Sequence, residues 1–228
     1  MRHGHTSLAV ILPVRNAAPF VADAIASLLQ QLPPGADVVV VDGGSDDRSA
    51  AIAAAFPGVR VVAQTGRGLA AARNQGLHEA RADVIGFCDA DDRWAPGALA
   101  LRLARLQARP DCDAVIGQMV REALPGERLS AQQESQLGRP VPGYTPGALL
   151  AHRRAFQEVG PFDETLAIGT DSDWFARLHL SRLCLAVLPA VVLRKGVRAQ
   201  SLSTDIDAYR RELLRVARGF VARRRADR

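Results

Sequence analysis

The chain has 228 residues, of which 48% are hydrophobic and 23% charged, with a formal net charge of +5. This length fits one large α/β domain, and the composition excludes collagen-like and intrinsically disordered chains. Lys195 is the only lysine, so the basic balance reflects an arginine bias and is not evidence for nucleic-acid binding. We expect anionic small molecules as ligands and no nucleic-acid partner.

The sequence shows neither a membrane span nor a signal peptide, because the apolar run at residues 8–14 is too short for either. The three cysteines, Cys88, Cys112 and Cys184, are widely spaced and form no Cys-x-x-Cys pair. Such cysteines are typical of buried thiols in a reducing compartment. We therefore expect a cytoplasmic protein, with a peripheral position at the inner face of the membrane as the alternative.

The first half of the chain alternates buried-strand patterns with helical patterns. Strands are predicted at residues 8–14, 36–41, 59–63 and 83–88. Helices are predicted at residues 17–31, 49–56 and 69–80. This alternation predicts an α/β fold with a Rossmann-like, mostly parallel sheet flanked by helices.

From residue 99 onward the pattern is less regular. It predicts a helix at 99–106, a strand at 114–118, a mobile loop or lid at 121–141, a mixed segment at 148–159, a helix at 171–180 and a strand at 183–193. We divide residues 1–204 into a nucleotide-sugar-binding half (1–98) and a smaller acceptor-side half (99–204). The arginine-rich pattern at 205–228 predicts an amphipathic helix that either docks on anionic lipid or packs on the sheet or in a homodimer.

Carboxylates cluster where the fourth predicted strand ends, at Asp89, Asp91 and Asp92. Ligands of open parallel sheets bind at the carboxyl ends of the strands. Carboxylate oxygens at alternating positions there suit Mg²⁺ or Mn²⁺ bridging a diphosphate. The alternative interpretation is a solvated acidic turn before the next helix.

Six segments in a fixed order extend this pattern: residues 10–16, 41–47, 68–76, 87–92, 147–164 and 169–177. Together they resemble family 2 glycosyltransferases of the GT-A fold over most of the chain. The resemblance implies inverting transfer of a sugar from a nucleotide-diphosphate donor, a UDP-sugar above all, to a sugar, lipid-linked or other hydroxyl acceptor. It also implies Mn²⁺ or Mg²⁺ as the cofactor.

The same resemblance assigns roles to individual residues. The implied nucleotide-binding residues are Pro13, Arg15, Asp42, Arg73 and Asp89. The implied metal ligand is Asp91, and the implied general base is Asp171. Candidate contacts to the diphosphate or the acceptor are Asp92, Trp94, Asp173 and Arg198.

Four of these residues also have a purely structural interpretation. Asp42 could cap the following helix, Arg73 could lie on the surface, Asp171 could be an N-cap, and Trp94 could be a core anchor instead of a sugar-stacking ring.

Three departures from the family pattern leave the function open to alternatives. Gly43 and Thr170 stand where the family usually has carboxylates, and Arg198 lies in a segment that often carries a histidine. Gly43 and Thr170 would be consistent with a non-catalytic GT-A nucleotide-binding or scaffold protein. A nucleotidyltransferase is the other enzyme alternative, although no glycine-rich loop follows the first strand.

Overall fold

The computed structural model describes residues 7–199. The strands are β1 (Leu8–Val14), β2 (Asp37–Asp42), β3 (Val59–Ala63), β4 (Val84–Phe87), β5 (Arg93–Trp94), β6 (Cys112–Ala123), β7 (Val141–Pro142), β8 (Leu149–His152) and β9 (Cys184–Val197). The helices are α1 (Val21–Leu29), α2 (Ser49–Ala54), α3 (Gly68–Glu79), α4 (Ala98–Ala108), α5 (Ala131–Glu134), α6 (Arg153–Val159) and α7 (Thr170–Leu180). The amphipathic helix predicted at 205–228 lies outside the described residues.

Within the described part of the chain, nine strands form one sheet in the order β3-β2-β1-β4-β8-β6-β9-β5, with β7 paired to β6. β1 to β4 are mutually parallel, and β8 is antiparallel to its neighbours β4 and β6. β6 and β9 are parallel to each other, so both point the same way as β1 to β4. The predicted mostly parallel sheet flanked by helices is confirmed, and β1, β2 and β4 end along one edge.

β1 is buried along its whole length because helices cover both faces of the sheet. Val10 and Leu12 belong to the core cluster that includes Ile25 of α1, whereas Ile11 belongs to the cluster on the opposite face. This alternation follows the two-residue period of a strand. On the second face α3 approaches β1 so closely that a Cβ at Gly76 would lie 2.2 Å from the Ile11 side chain. The glycine therefore sets the depth at which α3 packs.

The prediction of a loop at 121–141 is wrong for its first residues, because β6 continues to Ala123. A charged residue of this stretch pairs with arginines on the adjacent strand β9 and on β5 beyond it. Glu122 accepts hydrogen bonds from Arg93 at 2.7 Å and from Arg194. Such cross-strand charge pairs allow a polar strand to remain in a sheet.

A short helix, α5, interrupts the same stretch. Ser130 and Gln133 form a capping box, in which the Ser130 hydroxyl accepts from the Gln133 amide and the Gln133 side chain accepts from the Ser130 amide. The Gln133 side chain also donates to the Arg198 carbonyl at 3.0 Å. The Ser-x-x-Gln spacing is a helix-start signal, so this element could have been found from the sequence.

Asp47 connects the loop after β2 to the loop after β1. Its carboxylate accepts from the Ala18 amide at 3.0 Å, from the Ser49 amide at 2.8 Å and from the Ser49 hydroxyl. The buried Ser49 hydroxyl in turn accepts from the Ala17 amide at 2.8 Å. The Ser49 hydroxyl, followed by the Ala18 amide, lowers the pKa of Asp47 below its usual value.

We expect Asp47→Asn to lower the melting temperature at neutral pH, because the amide replaces an acceptor of three hydrogen bonds. A carboxyl group with a lowered folded-state pKa stabilises the fold above its unfolded pKa, about 4, and this stabilisation is lost as the pH falls through the folded value. The difference in melting temperature between the original chain and the variant should therefore shrink from pH 7 towards pH 3. Asp46→Asn, at an exposed neighbouring carboxylate, is the control and should change little; a pH-independent difference for Asp47→Asn would contradict the prediction.

Candidate active site

The centre of the candidate site is a fully buried arginine that binds two carboxylates. Arg73, on α3, donates through Nη2 to Asp89 Oδ1 at 3.0 Å and through Nη1 to Asp171 Oδ1. Burial acts to lower the pKa of the Arg73 guanidinium, but Asp171 and Asp89 raise it above its usual value. The structure thus places the predicted nucleotide aspartate and the predicted base on one cation, and the surface interpretation of Arg73 is wrong.

Asp171 lies in the first turn of α7 and is held from several directions. Gly169, not Asp171, is the N-cap of this helix. The Thr145 hydroxyl donates to Asp171 Oδ2 at 3.2 Å, and the Thr170 hydroxyl lies 3.2 Å from Oδ1. The Asp171 side chain nevertheless remains 29% exposed, so it is oriented by its neighbours and still accessible to a ligand.

Thr170 and Thr145 illustrate what the sequence does and does not reveal about this carboxylate. At Thr170, where the family usually has a glutamate, a hydroxyl supplies a hydrogen bond to Asp171 in place of a negative charge. Thr145 lies 26 residues before Asp171 in the sequence. No spacing rule connects it to the start of α7. We found no sequence signal for its role.

Asn74, beside Arg73, fixes α3 to the segment that leads into α7. Its side-chain amide donates to the Phe162 carbonyl at 2.9 Å and to Glu164 at 2.8 Å, and its oxygen accepts from the Phe162 amide at 2.9 Å. Bonds in both directions with the backbone of one residue determine the orientation of this amide. The contact keeps α3, and with it Arg73, in register with the approach to Asp171.

Asp91 and Arg198, the predicted metal ligand and a predicted diphosphate contact, lie beside each other. Arg198 Nε is 3.0 Å from Asp91 Oδ2, at ion-pair distance but without hydrogen-bond geometry. The Arg198 guanidinium also lies over the Phe20 ring, 4.8 Å from its centroid. Burial and the neighbouring Asp89 raise the pKa of Asp91 above its usual value.

Asp92 is buried completely and connects the turn after β4 to β9. Its Oδ1 accepts from the Gly196 amide at 2.9 Å, and its Oδ2 lies 3.4 Å from Lys195 Nζ. Burial raises the pKa of Asp92 to about 7, although Lys195 opposes the shift. A Cβ at Gly196 would lie 2.2 Å from the Asp91 carbonyl oxygen, so glycine is required for this close approach. The buried position and these contacts make Asp92 a structural connection between the turn and β9, whereas the sequence had made it a candidate contact to the diphosphate or acceptor.

Trp94 is a core anchor and not a sugar-stacking ring. Its indole N–H donates to the carbonyls of Phe87 at 3.0 Å and Gly147 at 3.1 Å, and Arg102 lies over its ring at 4.1 Å. With 2% of its surface exposed, the ring has no face available for a sugar.

Asp173, two residues after the predicted base, is buried and binds an arginine of its own helix. It forms an ion pair at 2.8 Å with Arg177, one turn later, and Arg177 Nη2 donates to the Pro161 carbonyl at 2.7 Å. Residues two apart on a helix do not face each other, so Asp173 and Asp171 point in different directions from α7.

The predicted nucleotide side lies at the ends of β1 and β2. The register places Pro13 beside Val41, immediately before Asp42. Pro13 is buried and Arg15 is exposed. The Asp42 carboxylate accepts from the Ser45 hydroxyl at 2.5 Å and from the Ser45 amide at 3.2 Å. Asp42 therefore organises its own turn and does not cap α2, and the two strand ends lie beside the β4 end that carries Asp89.

The structure also explains how the chain accommodates Gly43. A Cβ at this position would lie 2.9 Å from Gln64 Oε1. The Gln64 side-chain amide donates to the Gly68 carbonyl at 2.9 Å, at the start of α3. Gln64 thus occupies space into which an aspartate at position 43 would extend.

The carboxylates fit a metal only in part. Among residues 7–199, no three His, Cys, Asp or Glu side chains are grouped so that they could hold a metal ion. Mg²⁺ commonly binds through one or two carboxylates and completes its coordination with substrate phosphates and water. Asp91, partly exposed at the turn, fits the role of such a single protein ligand.

Comparison with known proteins decides the family. The sequence profile described as Glycosyl transferase family 2 matches residues 9–160. The chain belongs to glycosyltransferase family 2. This match spans the Arg73 helix and the Asp89 to Asp92 turn, and the resemblance seen in the sequence is confirmed.

Individual family members match over most of this chain. The succinoglycan biosynthesis protein ExoU of Rhizobium meliloti is 31% identical over 227 residues, covering 87% of this chain and 64% of that protein. The pre-mycofactocin glycosyltransferase of Mycobacterium tuberculosis is 31% identical, covering 86% of this chain and 44% of that protein. The chain thus spans less than two thirds of the length of these relatives.

Solved structures confirm the fold. Staphylococcus aureus TarS 1–349, in complex with UDP-GlcNAc, superposes with a TM-score of 0.71 at 19% identity, covering 87% of this chain and 61% of that one. At this identity the likeness supports the GT-A fold alone. None of the helices described between residues 7 and 199 has the length and apolar character that crossing a bilayer requires.

Proposed function

We propose that this family 2 chain transfers a sugar from a nucleoside diphosphate donor, a UDP-sugar in the first instance, to an acceptor hydroxyl with inversion. The observation that carries the proposal is the shared contact of Asp89 and Asp171 with Arg73. A base must lie within hydrogen-bond reach of the hydroxyl that it deprotonates, and its side chain must be accessible. The Asp171 side chain is accessible, and its contacts with Arg73 and Thr145 orient it towards an incoming hydroxyl.

In this mechanism Asp171 accepts the proton of the acceptor hydroxyl while the oxygen attacks the anomeric carbon. The bond from that carbon to the diphosphate breaks, and its electron pair leaves with the diphosphate. Arg73 holds the Asp171 carboxylate in place, because its guanidinium is itself fixed by burial and by the second contact with Asp89. Asp89 and Asp42 lie on the donor side, at the ends of β4 and β2.

Asp91 would hold a divalent cation, Mn²⁺ or Mg²⁺, together with oxygens of the diphosphate. When bound, the cation would neutralise charge on the leaving diphosphate as a Lewis acid. TarS, which has the same fold, binds UDP-GlcNAc, and this is the reason for proposing a UDP-sugar as the first donor to test.

The acceptor is proposed to enter beside Tyr144. This ring is 44% exposed and directly precedes Thr145, which binds Asp171. It packs edge-on against Phe175, one turn after Asp171 on α7, with ring centroids 5.5 Å apart. An exposed aromatic ring at this place suits the apolar face of a sugar.

The proposal is tested by thermal shifts with UDP, GDP, dTDP and their sugars, with and without Mn²⁺, followed by donor hydrolysis assays. We expect one nucleotide series to raise the melting temperature, and Asp91→Ala to abolish Mn²⁺-dependent hydrolysis of the sugar nucleotide. The control is Asp111→Ala, which removes an exposed aspartate paired with Arg109 and should leave hydrolysis unchanged. Absence of any shift with every nucleotide would favour the scaffold alternative.

A further inference from the structure

Lys195 places an ammonium group among the carboxylates that follow β4. Its Nζ lies 3.4 Å from Asp92 Oδ2 and 3.9 Å from Asp89 Oδ2. The Lys195 side chain is still 32% exposed. An ammonium group has three N–H donors, so these contacts leave capacity for a ligand on the exposed side.

The choice of lysine at this position is informative, because arginine fills every other basic position except the histidines. Lysine presents a compact point charge, whereas arginine presents a planar fork that needs more room. The one lysine of the chain places this compact charge 3.4 Å from Asp92 and 3.9 Å from Asp89. The composition and the geometry thus point independently to a specific requirement at Lys195.

The backbone next to Lys195 is fixed with unusual closeness. The Gly196 amide donates to the fully buried Asp92 carboxylate at 2.9 Å, and a Cβ at Gly196 would lie 2.2 Å from the Asp91 carbonyl oxygen. β9 is therefore held against the aspartate turn at the residue that follows the lysine. This arrangement keeps the ammonium group beside Asp89, the donor-side carboxylate.

We propose that Lys195 binds the diphosphate of the donor, and that Asp92 is a positioning residue that holds its ammonium group in place. The inference rests on the proposed function and adds a residue that the family resemblance did not assign. When the bond to the anomeric carbon breaks, negative charge develops on the departing phosphate oxygen. A fixed cation at Lys195 stabilises that charge and strengthens binding of a diphosphate relative to a monophosphate.

The test compares the affinities of UDP and UMP by calorimetry, because only UDP carries the second phosphate. We expect Lys195→Met to weaken UDP binding about tenfold or more, which is the scale of one lost charge-assisted contact, and to change UMP binding less than twofold. Arg194→Met, on the same strand, removes an exposed cation paired with Glu122 and should alter neither affinity. Equal losses for UDP and UMP, or no loss, would overturn the inference.

A second variant guards against misfolding, since Lys195→Met leaves the buried Asp92 without its cation. Lys195→Met combined with Asp92→Asn removes both charges and should fold while showing the same loss of preference for UDP over UMP. A folded double variant that keeps the preference would overturn the inference. Failure of the unaltered chain to bind any of UDP, GDP and dTDP would instead contradict the proposed function itself.

The unaltered chain offers an independent measurement, because Lys195 is its only lysine. We expect UDP to slow acetylation of Lys195 by an amine-reactive reagent, followed by peptide mass mapping, and uridine to have no effect. Equal rates under conditions in which UDP is shown to be bound would count against a contact between Lys195 and the diphosphate.

Discussion

Arg73→Met is expected to lower the free energy of unfolding by about 3–5 kcal/mol, because it leaves two carboxylates without their buried cation. Arg73 has no exposed surface, and the side chains of its partners Asp89 and Asp171 are only 18% and 29% exposed, so solvent compensates for its loss only in part. Urea denaturation measures the change. Sugar transfer should fall as well, since Asp171 loses the group that orients it.

The matched control for this variant is Arg60→Met. Arg60 also binds two carboxylates, Asp37 and Glu79, but its side chain is 41% exposed. Exposed ion pairs contribute about 0–1 kcal/mol, so Arg60→Met should cost far less stability. Similar losses for the two variants would show that the burial of Arg73 is not the decisive factor.

Asp171→Asn is expected to reduce the rate of sugar transfer by about 10²–10⁴-fold, the usual contribution of a general base. The amide keeps the size of the side chain and an oxygen acceptor for Arg73, so the fold and the dissociation constant for UDP should change little. Rate measurements at saturating donor, with calorimetry for UDP, separate the two effects.

Asp173→Asn provides the contrast on the same helix. Asp173 pairs with Arg177, which binds the carbonyl of Pro161, so its loss should lower the melting temperature more than the transfer rate of the folded protein. If Asp173→Asn reduced transfer and Asp171→Asn did not, the assignment of the base would have to be reversed.

The first half of the fold could be predicted because its strands are buried on both faces. Runs such as residues 8–14 are apolar at every position, and polar turns mark where they end. The later strands, β6 and β9, carry charged residues that pair with one another, as Glu122 does with Arg194. Their stability depends on partners distant in sequence, which the local pattern does not show.

Some residues of the candidate site could be predicted from the sequence, and others could not. Asp89, Asp91 and Asp171 stand in motifs whose order carries information, so they could be named from the sequence. Thr145 contacts Asp171 and Lys195 contacts Asp89. Both residues are distant in sequence from these carboxylates, so only the folded structure reveals the contacts. Trp94 and Asp173 lie next to motif residues in sequence, yet the structure directs Trp94 into the core and pairs Asp173 with Arg177.

The position of Lys195 and Arg198 near the end of the described chain has a consequence for biosynthesis. Both face aspartates that are made about a hundred residues earlier, and β9 lies between β6 and β5 in the sheet. A nascent chain therefore carries the aspartates after β4 without these two cationic partners until residue 198 has been synthesised. Under the proposed function, binding of a sugar nucleotide would therefore begin only after β9 has been synthesised and has paired with β6 and β5.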